Sequence, residues 1–518
     1  MKITDRFATL TTNLKGKKIT VMGLGVFGGG VGASRFLVSQ GARVTVTDLK
    51  NESQLTPSLE TLKGLPLELH LGGHREEDFK DADVVMVNPA VPKDSRFLRL
   101  ARENKIPLET EMNLFFKLCP AAIIGITGSK GKSTTTALLA AMLQSASNRL
   151  GKTVWLGGNI GMGYSLLERV EEMGMEDLVV LELSSFQLED LSQIRKSPHL
   201  AVVTNLAPNH LDRHKDMETY IEAKKNIIRY QTAEDFVILN WDDCRLREWA
   251  SETRARVIWY SLQHRPNPRI SPFNKGGLRG IPPLPPSPPE ADKGFGSQQV
   301  CGAFLDGQEA ILNIDSREGR IGLSSIKLPG RHNLENILAA SCAAFLLGAN
   351  GNDIEKTTQS FSGLEHRLEF VAEIKGVKYY NDSIATTPES AIAGLQTFEA
   401  PIVLIAGGYD KKISLESFAR ESVKRCKCLI LIGETASTLM KLIEESRGVL
   451  PYAPTAGEPF PDLFRVPSLE EAVKIASGVA LSGDVVLLSP ACASYDMFEN
   501  FQERGNQFKA LVHALNHS

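Results

Sequence analysis

The sequence lacks a cysteine framework. Its seven cysteines, at 119, 244, 301, 342, 426, 428 and 492, are scattered, with no CxxC pair and no metal-finger spacing. Such a set excludes a disulfide scaffold and fits a reducing compartment. An excess of either charge is missing too: 58 Lys and Arg stand against 61 Asp and Glu, a net charge of −3. That balance gives no electrostatic case for nucleic acid or an anionic membrane as the main partner. The opening residues, MKITDRFATLTTNLKGKK, hold no apolar core of signal-peptide length. Residues 19–34 are uncharged, but glycines crowd them and a strand-like ARVTVTD follows, so a nucleotide turn explains them better than a membrane span. The expectation is a soluble, cytoplasmic protein with no membrane and no nucleic-acid partner.

What the chain does have is glycine placed in turns. In AIIGITGSKGKSTTTA, residues 122–137, a short β-branched run enters a turn with Gly125, Gly128 and Gly131, then Lys132, Ser133 and a helix-compatible stretch. Glycines let consecutive N–H groups turn toward phosphate oxygens, the helix N-terminus and Lys132 add positive charge, and the Ser133 hydroxyl can sit on Mg²⁺. The pattern predicts a site for ATP or GTP. It is a variant, GxxGxxGKST, because Ile126 stands where the strict P-loop has glycine.

At about 150 residues per domain the 518 residues make three or four domains, each able to bury a core. In the first, residues 1–112, a strand from Lys18 to Met22 runs into Gly23-x-Gly25-x-x-Gly28, a helix, and a second strand ending at Asp48. This is a Rossmann-like arrangement, the carboxylate being placed for a ribose hydroxyl. Residues 82–87 predict a buried parallel strand ending at Asn88, where either a ligand or a plain turn fits, and KIPLET adds a further strand.

The second domain, 113–364, carries the phosphate loop. TVWLGGNIG places a glycine turn around Asn159, and DLVVLEL, residues 177–183, is an apolar strand broken by Glu182 alone. A carboxylate there is costly unless it is paired or bound to a cation, so Mg²⁺ and a salt bridge are the two readings. NHLDRH brings His210, Asp212 and His214; with no cysteine or further histidine close by, a role near metal and phosphate fits better than zinc. Lys224 and Lys225, in METYIEAKKNIIRY, read by default as a solvated helix face. Nine of the 26 prolines fall between Pro266 and Pro289, so about 264–299 is expected to be a disordered or polyproline insert. In LPGRHNLENILAAS, Asn333 and Asn336 stand one turn apart at the start of an alanine-rich helix. The third domain, 365–518, again alternates apolar strands with helices, each strand ending in small or polar residues: Asn381-Asp382-Ser383, Gly407 to Lys411, and Ser489 to Ser494. Such strand ends form a binding rim, and three α/β units in series imply a substrate held between domains.

Taken together, GITGSKGKST, LELSSFQLE, NHLDRH, LPGRHNLEN, EHRLEF, YYNDSIATTPES and SPACASYDMFENFQERGNQF resemble the Mur ligase superfamily, the ATP-dependent amide-bond ligases of peptidoglycan precursor synthesis. NDSIATTPES and the last motif resemble its D-glutamate-adding branch, and the DNPR signature of the diaminopimelate- or lysine-adding branch is absent. The resemblance implies three α/β domains, Rossmann-like, P-loop-type ATPase with a parallel sheet, and Rossmann-like. It also implies phosphorylation of the carboxylate of UDP-N-acetylmuramoyl-L-alanine by ATP and attack on the acyl phosphate by D-glutamate; a monomer is expected. Residue by residue it puts Gly128, Ser129, Lys130, Gly131, Lys132, Ser133 and Thr134 on the ATP phosphates, with Ser133 and Glu182 on one Mg²⁺. His210 matches the ligand of a second Mg²⁺, and Lys224 the lysine the family carbamylates; side-chain chemistry alone does not choose it over Lys225. Asn333 and Asn336 match the adenine and ribose side of ATP, Asp382 a ribose contact, and Asn159 a residue near the substrate and phosphates. His366 and Arg367 match the pair at the interdomain junction, expected on substrate and ATP respectively, and Asn88 at its strand end is a further substrate-contact candidate. Thr386, Lys411, Ser494 and Phe501 match the D-glutamate positions, and Val26, Phe27 and Asp48 the uridine. The sequence departs from the family pattern at Ile384, where a lysine is often found, and in GGYDKK, which leaves Lys411 and Lys412 both open. Three rivals stand beside this: a sister ligase with another acceptor, a switch-type P-loop protein, and a nicotinamide-dependent oxidoreductase built on Gly23 to Asp48.

Overall fold

The structure is a computed structural model. It describes residues 14–25, 29–89, 91–160, 165–207, 216–262, 301–328, 330–410, 413–446 and 460–515. Packing divides the chain into two units, Met1–Ser325 with His332–Gln359, and Ile326–Arg331 with Ser360–Ser518. The proline-rich stretch of about 264–299 lies outside the described residues.

The first unit carries two sheets among its described residues. β1 (Lys18–Met22), β2 (Arg43–Asp48), β3 (Leu67–Leu71), β4 (Val84–Val87) and β5 (Leu108–Glu109) form a parallel sheet in the order β3-β2-β1-β4-β5. The read strands at Lys18–Met22 and 82–87 are there, the latter two residues shorter, and KIPLET contributes only the pair Leu108–Glu109.

β6 (Ala122–Thr127), β7 (Val154–Gly158), β8 (Leu178–Glu182), β9 (Leu200–Val203), β10 (Phe236–Asn240), β11 (Arg256–Ser261), β12 (Gly302–Asp306), β13 (Glu309–Ile314) and β14 (Arg317–Gly322) form the second sheet. Its order is β14-β13-β12-β11-β10-β9-β6-β8-β7. Pairing is parallel from β12 to β7 and antiparallel from β12 to β14. Every residue of β8 (LVVLE) and β9 (LAVV) is buried, as continuous apolar runs require in a sheet covered on both faces. The carboxyl ends of β6, β8 and β9 therefore stand side by side, where a doubly wound sheet presents its ligand groups.

The second unit holds one described sheet. β15 (Glu369–Ile374), β16 (Val377–Asn381), β17 (Ile402–Gly407), β18 (Cys426–Ile432), β19 (Asp462–Arg465) and β20 (Val485–Leu488) are ordered β15-β16-β20-β17-β18-β19, only β15 being antiparallel. The two-residue alternation of a strand sorts its core. Ile402, Leu404 and Ala406 face Phe418 and Leu439 on one side, while Val403 and Ile405 face Phe508 and Val512 on the other.

Candidate active site

The phosphate loop connects β6 to the helix Lys132–Leu150, which Gly131 caps with φ +81°. Gly128 turns at φ +147°; a Cβ there would lie 1.9 Å from the Thr204 hydroxyl oxygen, and a Cβ on Gly131 would lie 2.2 Å from Asn336 Oδ1. Both positions thus need glycine for conformation and for space. Lys132 Nζ donates to the Ser129 carbonyl at 3.2 Å, and Ser133 is buried at the helix start beside it. Asn336 accepts from Thr135 Oγ1 at 3.3 Å and donates to Asn333 Oδ1 at 3.0 Å. The predicted asparagine pair is one hydrogen-bonded unit packed on the loop. Gly131→Ala is expected to cost about 1–3 kcal/mol of local strain and to weaken nucleotide binding about tenfold or more, read by titration calorimetry.

Glu182 ends β8 and is 2% exposed. Its Oε1 accepts from Asn159 Nδ2 at 3.2 Å, whereas Oε2 is buried with no hydrogen-bond partner. The salt-bridge reading finds no ion pair at Glu182 among the described residues. A buried carboxylate oxygen left without a donor is the position a cation completes, and the oxygen donors Glu182 and Ser133 suit Mg²⁺. No three His, Cys, Asp or Glu side chains cluster as a metal site among the described residues. His210, Asp212 and His214 lie outside them.

Lys224 corrects the expectation of a solvated helix face. It sits on the helix Met217–Arg229 with 1% exposure, because Tyr220, Ala223, Lys224 and Ile227 form the stripe that this helix buries. Its Nζ donates to Thr127 Oγ1 at 3.2 Å and lies 4.8 Å from the centre of the Tyr220 ring. Burial drives its pKa well below the ordinary lysine value; Lys132 adds to the shift and Glu182 opposes it. Lys225 points elsewhere, in ion pairs with Glu222 at 3.0 Å and Glu252 at 2.9 Å. Structure thus separates two neighbours that chemistry could not.

In the first sheet, Asp48 is buried at the end of β2. Its Oδ2 accepts from the N–H groups of Leu24 and Gly25 at 2.9 and 3.2 Å, and its Oδ1 from Lys50 N–H at 2.9 Å. The carboxylate shapes the glycine turn. Asn88 closes a turn with Val91 and lies against Gly23, where a Cβ would meet Asn88 Cβ at 3.0 Å. Val26 and Phe27 lie outside the described residues.

The second unit gathers its own set at the carboxyl ends of β16 and β20. His366 is buried at φ +64°, with Nδ1 at 3.0 Å from Asn381 Nδ2 and its ring edge-on to Phe501 at 5.9 Å. Burial lowers its pKa, and Glu369 works against that. Asp382 accepts from the Ser489 hydroxyl at 2.7 Å and from Leu368 N–H at 3.2 Å; burial pushes its pKa up to about 7, with Arg367 opposing. Ser494 is buried, and Thr386 borders a small cavity with Tyr409, Asp410, Ile413 and Cys492. Lys411 and Lys412 lie outside the described residues.

Arg504 was missed by sequence reading. Fully buried on the helix Phe501–Ala514, it donates from Nε to Ser383 Oγ at 2.9 Å and from its terminal nitrogens to the carbonyls of Ser383 at 2.8 Å, Cys492 at 3.2 Å and Ala493 at 3.2 Å. One guanidinium thereby ties the 381–383 turn to the 489–494 turn. The available signal was its place four residues before Phe508 and eight before Val512, on a stripe otherwise apolar. Arg504→Ala is expected to strip this donor from the Ser383 and Cys492 carbonyls, while Ala493 keeps the Tyr409 N–H, and to destabilise the second unit by about 3–5 kcal/mol, with Arg504→Lys restoring little, since lysine lacks the planar fork; thermal unfolding measures both.

Models of known families match along the chain: a MurD-like N-terminal domain of Mur ligases at residues 17–109, the Mur ligase middle domain at 126–277, and the Mur ligase glutamate ligase domain at 366–492. The UDP-N-acetylmuramoylalanine–D-glutamate ligase of Roseiflexus sp. (strain RS-1) is 43% identical over 508 residues, covering 97% of this chain and 99% of its own length. That of Acetivibrio thermocellus is 41% identical over 503 residues, with 97% of each covered. Among solved structures, the UDP-N-acetylmuramate–alanine ligase of Thermotoga maritima aligns at a TM-score of 0.56 and 20% identity, over 96% of this chain and 99% of its own. A murein peptide ligase from Psychrobacter arcticus aligns at 0.51 and 15%, over 95% and 99%. At those identities the structural likeness carries the fold alone.

Proposed function

The chain belongs to the Mur ligase family and is an ATP-dependent ligase that joins D-glutamate to UDP-N-acetylmuramoyl-L-alanine in peptidoglycan precursor synthesis; from that premise we propose how its residues divide the work. The observation that carries the assignment is the buried, unpartnered Glu182 Oε2 at the carboxyl end of the strand beside the phosphate loop.

In this reading the L-alanine carboxylate attacks the γ-phosphorus, ADP leaves, the D-glutamate amine adds to the acyl phosphate, and the tetrahedral adduct expels phosphate. The anions repel one another, so fixed positive charge and orientation carry most of the rate. Gly128, Ser129, Lys130, Gly131 and Thr134 shape the cradle, and Lys132 neutralises the β/γ-phosphates. Asn333 and Asn336 take the adenine and ribose side, with Arg367 and Asp382. Val26, Phe27, Asp48 and Asn88 serve the uridine end, and Asn159 and His366 the substrate near its reacting end. Thr386, Lys411, Ser494 and Phe501 hold the D-glutamate carboxylates. Ser133 and Glu182 would hold one Mg²⁺, and His210 with carbamylated Lys224 a second; when bound, the ions neutralise the charge on the transferring phosphoryl group. Lys224 is suited to carbamylation because burial favours its neutral amine, the form that adds CO₂. ATP and a UDP-linked substrate are cytoplasmic metabolites, so we place the reaction in the cytoplasm, in a monomer. No described helix is long and apolar enough to cross a membrane.

Phosphate release with ATP, Mg²⁺ and UDP-N-acetylmuramoyl-L-alanine tests this. Release is expected with D-glutamate and not with L-glutamate, L-alanine or no acceptor, and the product mass should show one added glutamate. Release with a different acceptor would reassign the chain to a sister ligase.

A further inference from the structure

The phosphate loop is bracketed by the segment that follows β9, residues 204–207. Ser129 N–H donates to the Asn205 carbonyl at 2.9 Å, and the Ser129 hydroxyl pairs with both backbone groups of Ala207 at 2.8 Å. Lys130 is held on both of its own backbone groups. Its N–H donates to Asn205 Oδ1 at 2.9 Å, while its carbonyl accepts from Asn205 Nδ2 at 3.1 Å and from the Thr204 hydroxyl at 2.6 Å. The bracket is itself anchored from behind. The Thr204 carbonyl accepts from Asn240 Nδ2 at 3.0 Å and from the Tyr260 hydroxyl at 2.8 Å, and Leu206 N–H donates to Asp243 Oδ2 at 2.7 Å.

A trans peptide points its carbonyl and the following N–H in opposite directions. With the Lys130 carbonyl turned toward Asn205, the Gly131 N–H must point out of the bracket. Gly131 has no Cβ to resist a flip of that peptide, and a flip would set a carbonyl oxygen where an N–H is needed to meet an anion. An amide is a short side chain able to donate and accept at once, as both halves of the Lys130 backbone require. We propose that Asn205 is a positioning residue for ATP: it locks the Lys130–Gly131 peptide so that the Gly131 N–H, and not the Lys130 carbonyl, faces the triphosphate. This rests on the assignment of residues 128–134 to the ATP phosphates.

The test compares Asn205→Ala, Asn205→Asp and Thr204→Val with the parent in the full chain, by calorimetric titration with ATP and Mg²⁺ and by KM for each substrate. Asn205→Asp keeps shape and an acceptor but sets a carboxylate against the Lys130 carbonyl. It is therefore expected to weaken ATP binding more than Asn205→Ala does, about 30-fold against about tenfold, with Thr204→Val at about threefold. KM for UDP-N-acetylmuramoyl-L-alanine and D-glutamate should stay within about twofold, since both are bound elsewhere. A role in filling space alone would reverse the order, because aspartate is the closer isostere. That reversed order, parent-like ATP binding in both Asn205 variants, or equal losses for all three substrates would overturn the proposal. Should the Asn205 variants not fold, unchanged ATP affinity in Thr204→Val would do the same. Absence of ATP binding in the parent would overturn the ATP-site assignment and the proposal with it.

Discussion

Glu182→Gln is expected to lower kcat on the order of 10³-fold while the chain stays folded. The substitution keeps the length and volume of the side chain, and the remaining amide oxygen can still accept from Asn159 Nδ2, now at 3.2 Å from Oε1. What changes is the second oxygen, buried and without a hydrogen bond, which becomes an NH₂ group whose hydrogens face an approaching cation. The Mg²⁺ requirement should move to higher concentration, and saturating Mg²⁺ should not restore the rate. Far-UV circular dichroism and the melting temperature should stay close to the parent's. Activity within about tenfold of the parent would mean that the carboxylate is not a ligand, since losing a charge fixed at a phosphoryl-transfer site costs more than that.

Glu182 was legible in the sequence because a charge inside an uninterrupted apolar strand has few explanations. The phosphate loop was legible for a similar reason: glycines followed by Lys-Ser at a strand-to-helix turn combine conformational and electrostatic requirements that seldom coincide. Asp48 shows the limit of spacing. A carboxylate about twenty residues after a glycine turn fits a ribose contact; both of its oxygens also accept turn or neighbouring N–H groups, a structural role that the same spacing does not announce. Arg504 and Lys224 were obscured by composition, since a charged residue on a helix is read as solvated by default. Each stands on an otherwise apolar stripe at intervals of three and four residues, and that periodicity outweighs residue type. Asn205 carried no local signal, because its role depends on β9 lying next to β6, a pairing between strands more than seventy residues apart in the chain.

The same burial makes Lys224 the site of the second large effect. Lys224→Ala is expected to lose activity on the order of 10²- to 10³-fold, and Lys225→Ala to stay within about twofold, because ion pairs to half-exposed carboxylates contribute little. Alanine alone does not separate a carbamate from an ordinary lysine contact, so added small carboxylates make the distinction: formate or acetate should partly restore Lys224→Ala and leave the parent unaffected. Depleting CO₂ from the parent should lower activity reversibly. The sign of the pH effect follows from the lowered pKa. The unfolded chain holds the lysine proton more tightly than the folded one, so the protonation that falling pH drives works against the fold, and both stability and CO₂ uptake decline. Reactivation of a CO₂-depleted sample, at a fixed concentration of dissolved CO₂, should accordingly be faster as pH rises. Parent-like activity in Lys224→Ala would make the buried lysine a packing residue, and a loss that carboxylates cannot rescue would keep its importance while removing the carbamate.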